Sequence, residues 1–308
     1  MLAVSRTTFA HYNQHLILLS MKVAVVIPSL NSPIIDRVLA AIESQAQFEE
    51  LSQIVVIGKD EADLIPSKEP IQLIDTGQPI SASQARNRGI AATQAEIIIF
   101  LDSDCLPQPG WLAQHIAAHA ASHKVVGGGI VPAGHNYWHL VYNLTLFHEV
   151  LSLASAGPRD YLPTLNLSVD RTVIEQVGGM DETIDRVEDI DWTTRMRRAG
   201  IQPYFWPEAA VYHQHNRHNL KRVWQDCAHS GYHMRWLRLH HQDMLQAPRL
   251  FHYPRLIWWL SPLISAWTTL RITARQPATF TRYWYTLPAI YLTKIAWCWG
   301  ASRTQPIK

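Results

Sequence analysis

The sequence predicts an α/β fold in which a mostly parallel, Rossmann-like sheet carries helices on both faces. Short runs of β-branched and aliphatic residues alternate with amphipathic stretches from Met21 onwards, and this alternation is typical of βαβ units. The 308 residues, of which 47% are hydrophobic, supply enough apolar material for one large domain or two small ones. This composition excludes a disordered or collagen-like chain.

The order of the predicted elements follows from where the apolar runs begin and end. Each strand is a short run rich in valine, isoleucine and leucine, and each helix is a longer stretch with one apolar face. In order, we predict strand 23–27, helix 34–48, strand 53–57, strand 71–75, helix 82–93 and strand 97–101. Residues 1–20 lack the pattern of a signal peptide, and we interpret them as a disordered extension or a start-site artefact.

The last of these strands leads directly into two carboxylates. Asp102 and Asp104 flank Ser103 at the carboxyl edge of the predicted sheet, where doubly wound folds bind their ligands. A divalent cation prefers oxygen ligands, and a carboxylate pair together with substrate phosphates supplies them. A capped turn into the following proline-rich loop is the alternative, because aspartate is common in turns.

A second pair of carboxylates, Glu188 and Asp189, opens a predicted helix that stops at Gly200. Acidic residues in the first turn and arginines in the last complement the helix dipole, so a charge-optimised surface helix is one interpretation and a catalytic site is the other. Farther along, strand alternation puts His213 and His215 on one face. Imidazole is a competent metal ligand, whereas an exposed basic loop is the alternative.

Six short motifs add more specific information. They lie at residues 25–31, 85–90, 100–104, 166–168, 178–182 and 188–195. In type and order they resemble the motifs of family 2 glycosyltransferases, which have the GT-A fold, use nucleotide sugars and invert the anomeric centre. The resemblance covers most of residues 21–235, which we predict to be the catalytic domain, and it implies transfer of a sugar to an acceptor hydroxyl.

The resemblance also implies a role for each matching residue. Asp102 and Asp104 would hold Mn²⁺ or Mg²⁺ together with His213, with Asp104 as the direct ligand and Asp102 nearer the ribose. Asp189 would be the catalytic base, and Glu188 would orient the acceptor. Contacts to the nucleotide sugar are expected from Pro28, Asn31, Asp60, Arg86, Asp102 and Ser103, and contacts to the acceptor from Asn166 and Trp192.

One departure from the family pattern concerns the nucleotide. Related enzymes carry an acidic residue straight after the second strand, whereas strand 53–57 runs into Gly58 and Lys59 before it reaches Asp60. Asp60 can take this role only after a small shift, so UDP is the default nucleotide and GDP and dTDP stay open. Arg86 either approaches the diphosphate or forms a surface salt bridge.

The histidines and cysteines give weaker signals. His115, His119 and His123 recur at helical spacing and predict a polar helix face. The three cysteines are an odd number at wide spacings, which indicates neither a disulfide framework nor a zinc site. A reducing, cytoplasmic setting fits this pattern.

The C-terminal part of the chain differs from the rest in charge. Up to His213 the formal charge is near −9, whereas the last 95 residues are near +11 and hold eight of the twelve tryptophans. A basic, tryptophan-rich segment is typical of contact with anionic lipid head groups. Because it carries no recognition motif for nucleic acid, we expect a membrane surface and no nucleic acid as its partner.

We therefore predict a helical, membrane-associating tail over residues 236–308. Two largely uncharged runs, 256–270 and 283–300, are interrupted by proline, and the first is too short for a clean span. They indicate interfacial or re-entrant helices on the inner face of the cell membrane. A short helical hairpin through the bilayer and a tail packed as ordinary core are the alternatives.

A location at the membrane favours a glycan or lipid-linked acceptor beside the nucleotide-sugar donor. The missing acidic residue after strand 53–57 leaves a second function open, a catalytically silent scaffold that binds nucleotide sugars at the membrane. Intact carboxylates at Asp102, Asp104 and Asp189 argue against this alternative, because a silent protein has no use for them.

Overall fold

A single sheet forms the centre of the computed structural model, which describes residues 21–304; the extension predicted over residues 1–20 lies outside them. Nine strands build the sheet in this part of the chain. They are β1 (Val23–Leu30), β2 (Leu51–Lys59), β3 (Ile71–Asp75), β4 (Ile97–Leu101), β5 (Cys105–Pro107), β6 (Val125–Ile130), β7 (Gly157–Pro158), β8 (Asn166–Asp170) and β9 (Tyr204–His213).

The strand order brings the end of β4 to the middle of the sheet. It runs β3-β2-β1-β4-β8-β6-β9-β5, with β7 paired to β9. The first four strands are parallel, as predicted, whereas β8 is antiparallel to both of its neighbours, β4 and β6. Because Leu101 pairs with Asn166, the residues that follow β4 lie beside the loop that leads into β8.

Helices flank the sheet and build the C-terminal part. Those that alternate with strands are α1 (Ile35–Glu43), α2 (Ala82–Ala92), α3 (Trp111–Ala120), α4 (Tyr137–Leu146), α5 (Arg171–Val177) and α6 (Glu188–Arg198). The C-terminal helices are α7 (Leu220–His240), α8 (Pro254–Trp259), α9 (Ser261–Arg275), α10 (Pro277–Arg282) and α11 (Leu287–Ala301).

The predicted elements are present, with one helix shorter than expected. Strands 71–75 and 97–101 are confirmed, but the helix predicted over 34–48 ends at Glu43. Ser44 and Gln45 both donate side-chain hydrogen bonds to the carbonyl of Ala41, which a continuing helix would bind through a backbone N–H. This local competition ends the helix early.

The polar helix face predicted from His115, His119 and His123 is buried at its first two positions, and α3 ends before His123. His115 and His119 are both buried, and each ring hydrogen-bonds Ser168 of β8, at 2.9 and 2.8 Å. Burial lowers the pKa of His115 to about 4, so the ring is neutral at physiological pH. The histidines attach α3 to the sheet instead of facing water.

The two largely uncharged runs of the tail have different surroundings. Helix α11 is packed as core, because Ile290 contacts Leu144 of α4 in one apolar cluster and Ala296 contacts Cys227 of α7 in another. Helices α8 and α9 instead leave Trp259 and several neighbours exposed. The second run is thus mostly packed as core, whereas the first buries Ile257 and Ser265 but leaves a row of large apolar side chains exposed.

The predicted boundary between the catalytic domain and the tail falls inside a helix. Residue 235 lies inside α7, which continues without a break from Leu220 to His240. No helix within residues 21–304 combines the length and the apolar character needed to cross a membrane.

Replacing Gly89 by alanine should destabilise the protein. A Cβ at this position of α2 would lie 2.3 Å from Cγ1 of Val26, so α2 would have to move away from β1. We expect G89A to lower the free energy of unfolding by about 1–3 kcal/mol, measured by urea denaturation. Ala91→Ser, at an exposed position of the same helix, is the control; equal stability of G89A and A91S would contradict this packing argument.

Candidate active site

A cavity of about 250 Å³ opens where β1, β2 and β4 end and α2 begins. This is the edge at which doubly wound sheets bind ligands. Four of the residues predicted to bind the nucleotide sugar line it together with Asp104, namely Pro28, Arg86, Asp102 and Ser103. The structure therefore brings together most of the predicted donor site.

Arg86 joins the two carboxylate clusters. Its guanidinium is buried and donates to Oδ1 of Asp102 at 2.7 Å through Nη2 and to Oε1 of Glu188 at 2.9 Å through Nη1. Burial alone would lower the pKa of Arg86, but the charges of Asp102 and Glu188 outweigh it and raise this pKa. Arg86 thus forms an ion triad around a buried guanidinium, and the surface salt bridge considered from the sequence is not what the structure contains.

The start of α2 determines where Arg86 lies. Ser81 accepts a hydrogen bond from the backbone N–H of Gln84, and the Gln84 side chain accepts one from the N–H of Ser81. This capping box fixes the first turn of the helix. Because Gly89 has no side chain, α2 lies directly on β1 and β2, and Arg86 reaches the carboxyl end of β4.

Glu188 and Asp189 occupy the first turn of α6 and have perturbed pKa values. Burial and the neighbouring charge of Asp189 raise the pKa of Glu188 to about 7, although Arg86 acts in the opposite direction. Burial also raises the pKa of Asp189. Asp189 accepts hydrogen bonds from the backbone N–H groups of Ile190 and Thr164, at 2.8 and 3.3 Å, which hold its carboxylate in place.

The residue before this helix has a strained backbone. Val187 has a φ of +66°, a left-handed conformation that is rare for a β-branched side chain. Its side chain is buried with Ile184, Met234 and Leu237, and this packing keeps the residue in place. Strain of this kind concentrates at functional sites, and here it aims the first turn of α6 at Arg86.

A second group of potential ligands lies on the other side of Asp102. Nε2 of His213 is 3.5 Å from Oδ1 of Asp104, and the two residues form a cluster with Cys105 that could hold a metal ion. Burial, with the charges of Asp104 and Asp102, raises the pKa of the Cys105 thiol well above its usual range. The carboxylate of Asp104 and the imidazole of His213 are ligand types that suit a divalent cation such as Mn²⁺.

The surroundings of the histidine support this arrangement. Nδ1 of His213 is 3.2 Å from Oδ1 of Asn143 on α4, which orients the ring. His215 is also buried, so the alternative of an exposed basic loop is wrong, and burial together with His213 lowers its pKa to about 2. Burial alone would raise the pKa of Asp104, but the adjacent His213 lowers it.

The structure contradicts both predicted acceptor contacts. Asn166 is buried and accepts from the indole N–H of Trp111, while its amide donates to the carbonyl oxygens of Ala209 and Gly129. Trp192 is fully buried and donates to the carbonyl of Gly178. Both are framework residues, because their side chains already have partners inside the protein.

Two residues predicted to bind the nucleotide do not line the cavity. Oδ2 of Asp60 accepts from the N–H of Ile65 at 2.7 Å, and Oδ1 of Asn31 accepts from the N–H of Glu61 at 2.9 Å. Asn31 also has a positive φ of 52°. These side chains shape the loops after β1 and β2, next to Leu30 and Gly58, which do line the cavity.

Sequence reasoning missed several residues of the site. Thr164 contributes its backbone N–H to Asp189, and no side-chain pattern can reveal such a contact. Ser29 lines the cavity, and its buried hydroxyl has no partner. Asn143 carried a usable signal, because it is an amide in the largely apolar stretch of α4.

A family model described as glycosyltransferase-like family 2 matches residues 21–232. This match covers more than half of the chain, so the chain belongs to this family, and the predicted resemblance is confirmed.

Two glycosyltransferases are similar to part of the chain. Identity is 33% over 139 residues to a pre-mycofactocin glycosyltransferase of Mycobacterium tuberculosis, covering 42% of this chain and 29% of the relative. It is 25% over 193 residues to the glycosyltransferase AglE of Haloferax volcanii, covering 59% and 64%. The chain therefore spans less than two thirds of the length of either relative.

Solved structures establish the fold. The mannosyltransferase PcManGT of Pyrobaculum calidifontis, in complex with GDP-Man and Mn²⁺, aligns with a TM-score of 0.55 and 16% identity over 93% of this chain and 95% of that one. GalNAc-T7 with UDP, GalNAc and Mn²⁺ aligns with a TM-score of 0.52 and 15% identity over 70% and 51%. The predicted GT-A-like fold is confirmed.

The raised pKa of Glu188 predicts how stability depends on pH. The pKa is 4.5 when unperturbed and about 7 in the folded protein, so the contribution of this residue to stability is complete below pH 4.5 and is lost as the pH rises through 7. We expect Glu188→Gln to show a smaller fall in the free energy of unfolding than wild type between about pH 5 and about pH 8.

Urea unfolding at these two pH values checks the prediction. Glu175→Gln removes an exposed carboxylate on α5 and should retain the pH dependence of the wild type. If E188Q and E175Q lose the same stability over this interval, Glu188 does not titrate as described.

Proposed function

We propose that this protein is a metal-assisted glycosyltransferase that moves a sugar from a nucleoside-diphosphate sugar to an acceptor hydroxyl with inversion. The observation that carries the proposal is the buried triad in which Arg86 connects Asp102, at the donor cavity, to Glu188, next to Asp189. Arg86 thereby connects Glu188, whose carboxyl pKa is raised, with the cavity that Arg86 and Asp102 line. UDP is the default nucleotide of the proposal, and GDP and dTDP are alternatives.

The side chains of Asp104 and His213 fit a divalent cation. Asp104 supplies a carboxylate and His213 an imidazole within one cluster, a combination that suits Mn²⁺, whereas Mg²⁺ prefers oxygen alone. When bound, such an ion neutralises charge on the diphosphate leaving group. Asp102 contributes differently, because one of its oxygens is held by Arg86, and we assign it to the nucleotide side of the site.

Asp189 is the group that we assign as general base. Its raised pKa makes it a stronger base than an exposed aspartate, and the two backbone N–H donors keep its oxygens oriented. It would take the proton of the acceptor hydroxyl as that oxygen attacks the anomeric carbon. Glu188 is ion-paired with Arg86, so one base and a single displacement with inversion are the simplest mechanism.

Replacing Asp189 by asparagine separates catalysis from folding. The amide keeps the shape but cannot accept a proton, so we expect kcat for sugar transfer to fall by about 10²–10⁴-fold. Relief of the burial penalty on the Asp189 charge offsets the loss of one acceptor for a backbone N–H, so the melting temperature should change little. The assay is a screen of nucleotide sugars with Mn²⁺ or Mg²⁺, with thermal unfolding measured in parallel, and Asp104→Ala should abolish the metal dependence.

Asp185→Asn is the matched control, because Asp185 is an exposed carboxylate shortly before α6. It should retain the wild-type rate. A wild type that binds a nucleotide sugar but turns over none, with the same behaviour in D189N, would instead support the silent scaffold.

The tail supports a peripheral position on an anionic membrane, on the inner face of the cell membrane, with a lipid-linked or other glycan acceptor. Trp259, Leu263, Trp267 and Leu270 are 78%, 70%, 68% and 66% exposed, and their spacing places them on one face of α8 and α9. We call this the apolar stripe. Arginines at 255 and 271 are exposed at its two ends, as expected for helices lying in the lipid interface.

Polar substitution within the apolar stripe should weaken membrane binding. Trp267→Ser removes one large apolar side chain from the face, and we expect binding to vesicles containing phosphatidylglycerol to fall by about tenfold in a sedimentation assay. Leu153→Ser is the control, because Leu153 is 56% exposed but lies before β7, outside the tail. Equal binding of the two variants would show that the apolar stripe is not the membrane contact.

A further inference from the structure

A groove of about 580 Å³ lies between α7 and α11, outside the donor cavity. It is lined by aromatic residues of both helices, Trp224, Tyr232 and Trp299, and by polar residues that include Asp226, His229 and Arg303. We call it the α7–α11 groove. No step of the proposed transfer described above uses it.

Small residues create this groove. A Cβ on Gly300 would lie 1.6 Å from the carbonyl oxygen of Ala228, and one on Gly231 would lie 2.0 Å from that of Trp297. The backbones of α7 and α11 are therefore in direct contact. Ala228 and Gly300 line the bottom of the groove without filling it, and the larger side chains on either side form its walls.

The lining has the chemistry of a carbohydrate site. The C–H faces of a pyranose ring are apolar and pack on flat aromatic rings, while its hydroxyls hydrogen-bond to carboxylate, amide and imidazole groups. Trp224, Tyr232 and Trp299 are all partly exposed and offer such rings. The exposed amide of Gln225 supplies polar atoms, and Asp226 and His229 add a carboxylate and an imidazole that are themselves bound to arginines.

Neighbouring side chains fix the ring of Trp299, one of the three aromatic residues that line the groove. Trp299 packs edge-on against Trp258 of α8, with ring centroids 5.0 Å apart, and the Arg303 guanidinium lies 3.5 Å from its ring centroid. Fixed side chains lose little conformational entropy when a ligand binds. The contact with Trp258 also connects the groove to the apolar stripe, because Trp259 is the next residue.

The other end of the groove is connected to the candidate active site. Asp226 accepts from Arg217 at 2.6 Å and lies 3.7 Å from Arg186, and Arg186 also contacts Nδ1 of His229 at 3.0 Å. In the chain, Arg186 is two residues before Glu188, and Arg217 is two residues after His215. Arg217 also lies close enough to Asp104 to lower the pKa of its carboxyl, so the Asp226 end of the groove is on the side of the protein that carries the candidate metal ligands.

We propose that the α7–α11 groove binds the saccharide portion of the acceptor. This inference rests on the proposed function, because it takes the donor cavity as the place where the sugar is transferred. A glycan attached to a lipid in the membrane would pass from the apolar stripe along Trp299 and Trp224 toward Arg186. The hydroxyl at its far end would then be near Asp189.

The test uses the full chain and octyl glycosides of common hexoses and disaccharides as probes, with binding followed by saturation-transfer NMR and tryptophan fluorescence. Free disaccharides and octyl phosphate are the comparison arms, which separate recognition of the sugar from recognition of the alkyl chain or an anion. We expect at least one octyl glycoside to bind, its free sugar to bind more weakly, and octyl phosphate not to compete.

Two variants change the groove in opposite ways. Trp224→Ala removes a platform and Ala228→Leu fills the bottom, and we expect each to raise the dissociation constant for the bound glycoside by about tenfold, in line with the loss of one well-packed aromatic contact. Trp284→Ala removes an exposed tryptophan that does not line the groove and should stay within about twofold of wild type.

Binding that is equal in all three variants, a wild type that binds no glycoside, or effective competition by octyl phosphate would each overturn the proposal. The assay of nucleotide-sugar hydrolysis distinguishes failure of this inference from failure of the proposed function. If metal-dependent hydrolysis occurs and D189N lacks transfer while the groove variants bind glycoside normally, only the acceptor groove is refuted. If no donor is turned over at all, the transferase proposal fails first.

Discussion

The buried guanidinium of Arg86 is the interaction on which the arrangement of the site depends. It is the cation between Asp102, at the end of a central strand, and Glu188, at the start of α6. The two carboxylates together compensate the charge of a guanidinium that burial would otherwise destabilise. Arg86 therefore links the parallel part of the sheet to the first turn of the helix that carries Asp189, while Trp192 of the same helix packs against Phe100 of β4.

The motifs that identify the family mostly bind one another. Asn87 accepts from the N–H of Met180 and donates to its carbonyl oxygen, and Arg195 donates to the carbonyl oxygen of Gly179. Trp192 donates to Gly178 in the same loop. Asn87 is thus joined in one hydrogen-bonded frame to residues about ninety positions later in the chain, whereas Asp102 and Asp104 of the motif at 100–104 line the cavity.

This division explains how far the sequence could predict the site. Asp102 and Asp104 were predictable because they follow a buried parallel strand, and the ligand edge of such a sheet is fixed by its topology. Asn166 and Trp192 were assigned wrongly to the acceptor, because the direction of a side chain in β8 or α6 depends on which neighbours cover it. The antiparallel insertion of β8 between β4 and β6 buries Asn166, and local periodicity carries no record of that pairing. The tail shows the same limit, since runs 256–270 and 283–300 look alike in composition, yet only the second buries its small residues against α7.

Helix α7 links the helix that carries Asp189 to the C-terminal helix α11. Its end is attached to the base-bearing helix, because Nε2 of His241 lies 2.7 Å from Oδ1 of Asp191 and Arg198 forms an ion pair with Asp243. Its middle packs against α11 and lines the groove. Movement of the tail is therefore coupled to the position of α6, and an acceptor held by the tail would be presented to Asp189 in a fixed geometry. Orientation of two reactants contributes strongly to rate, so a tail that is fixed to the base helix serves transfer better than a flexible membrane anchor would.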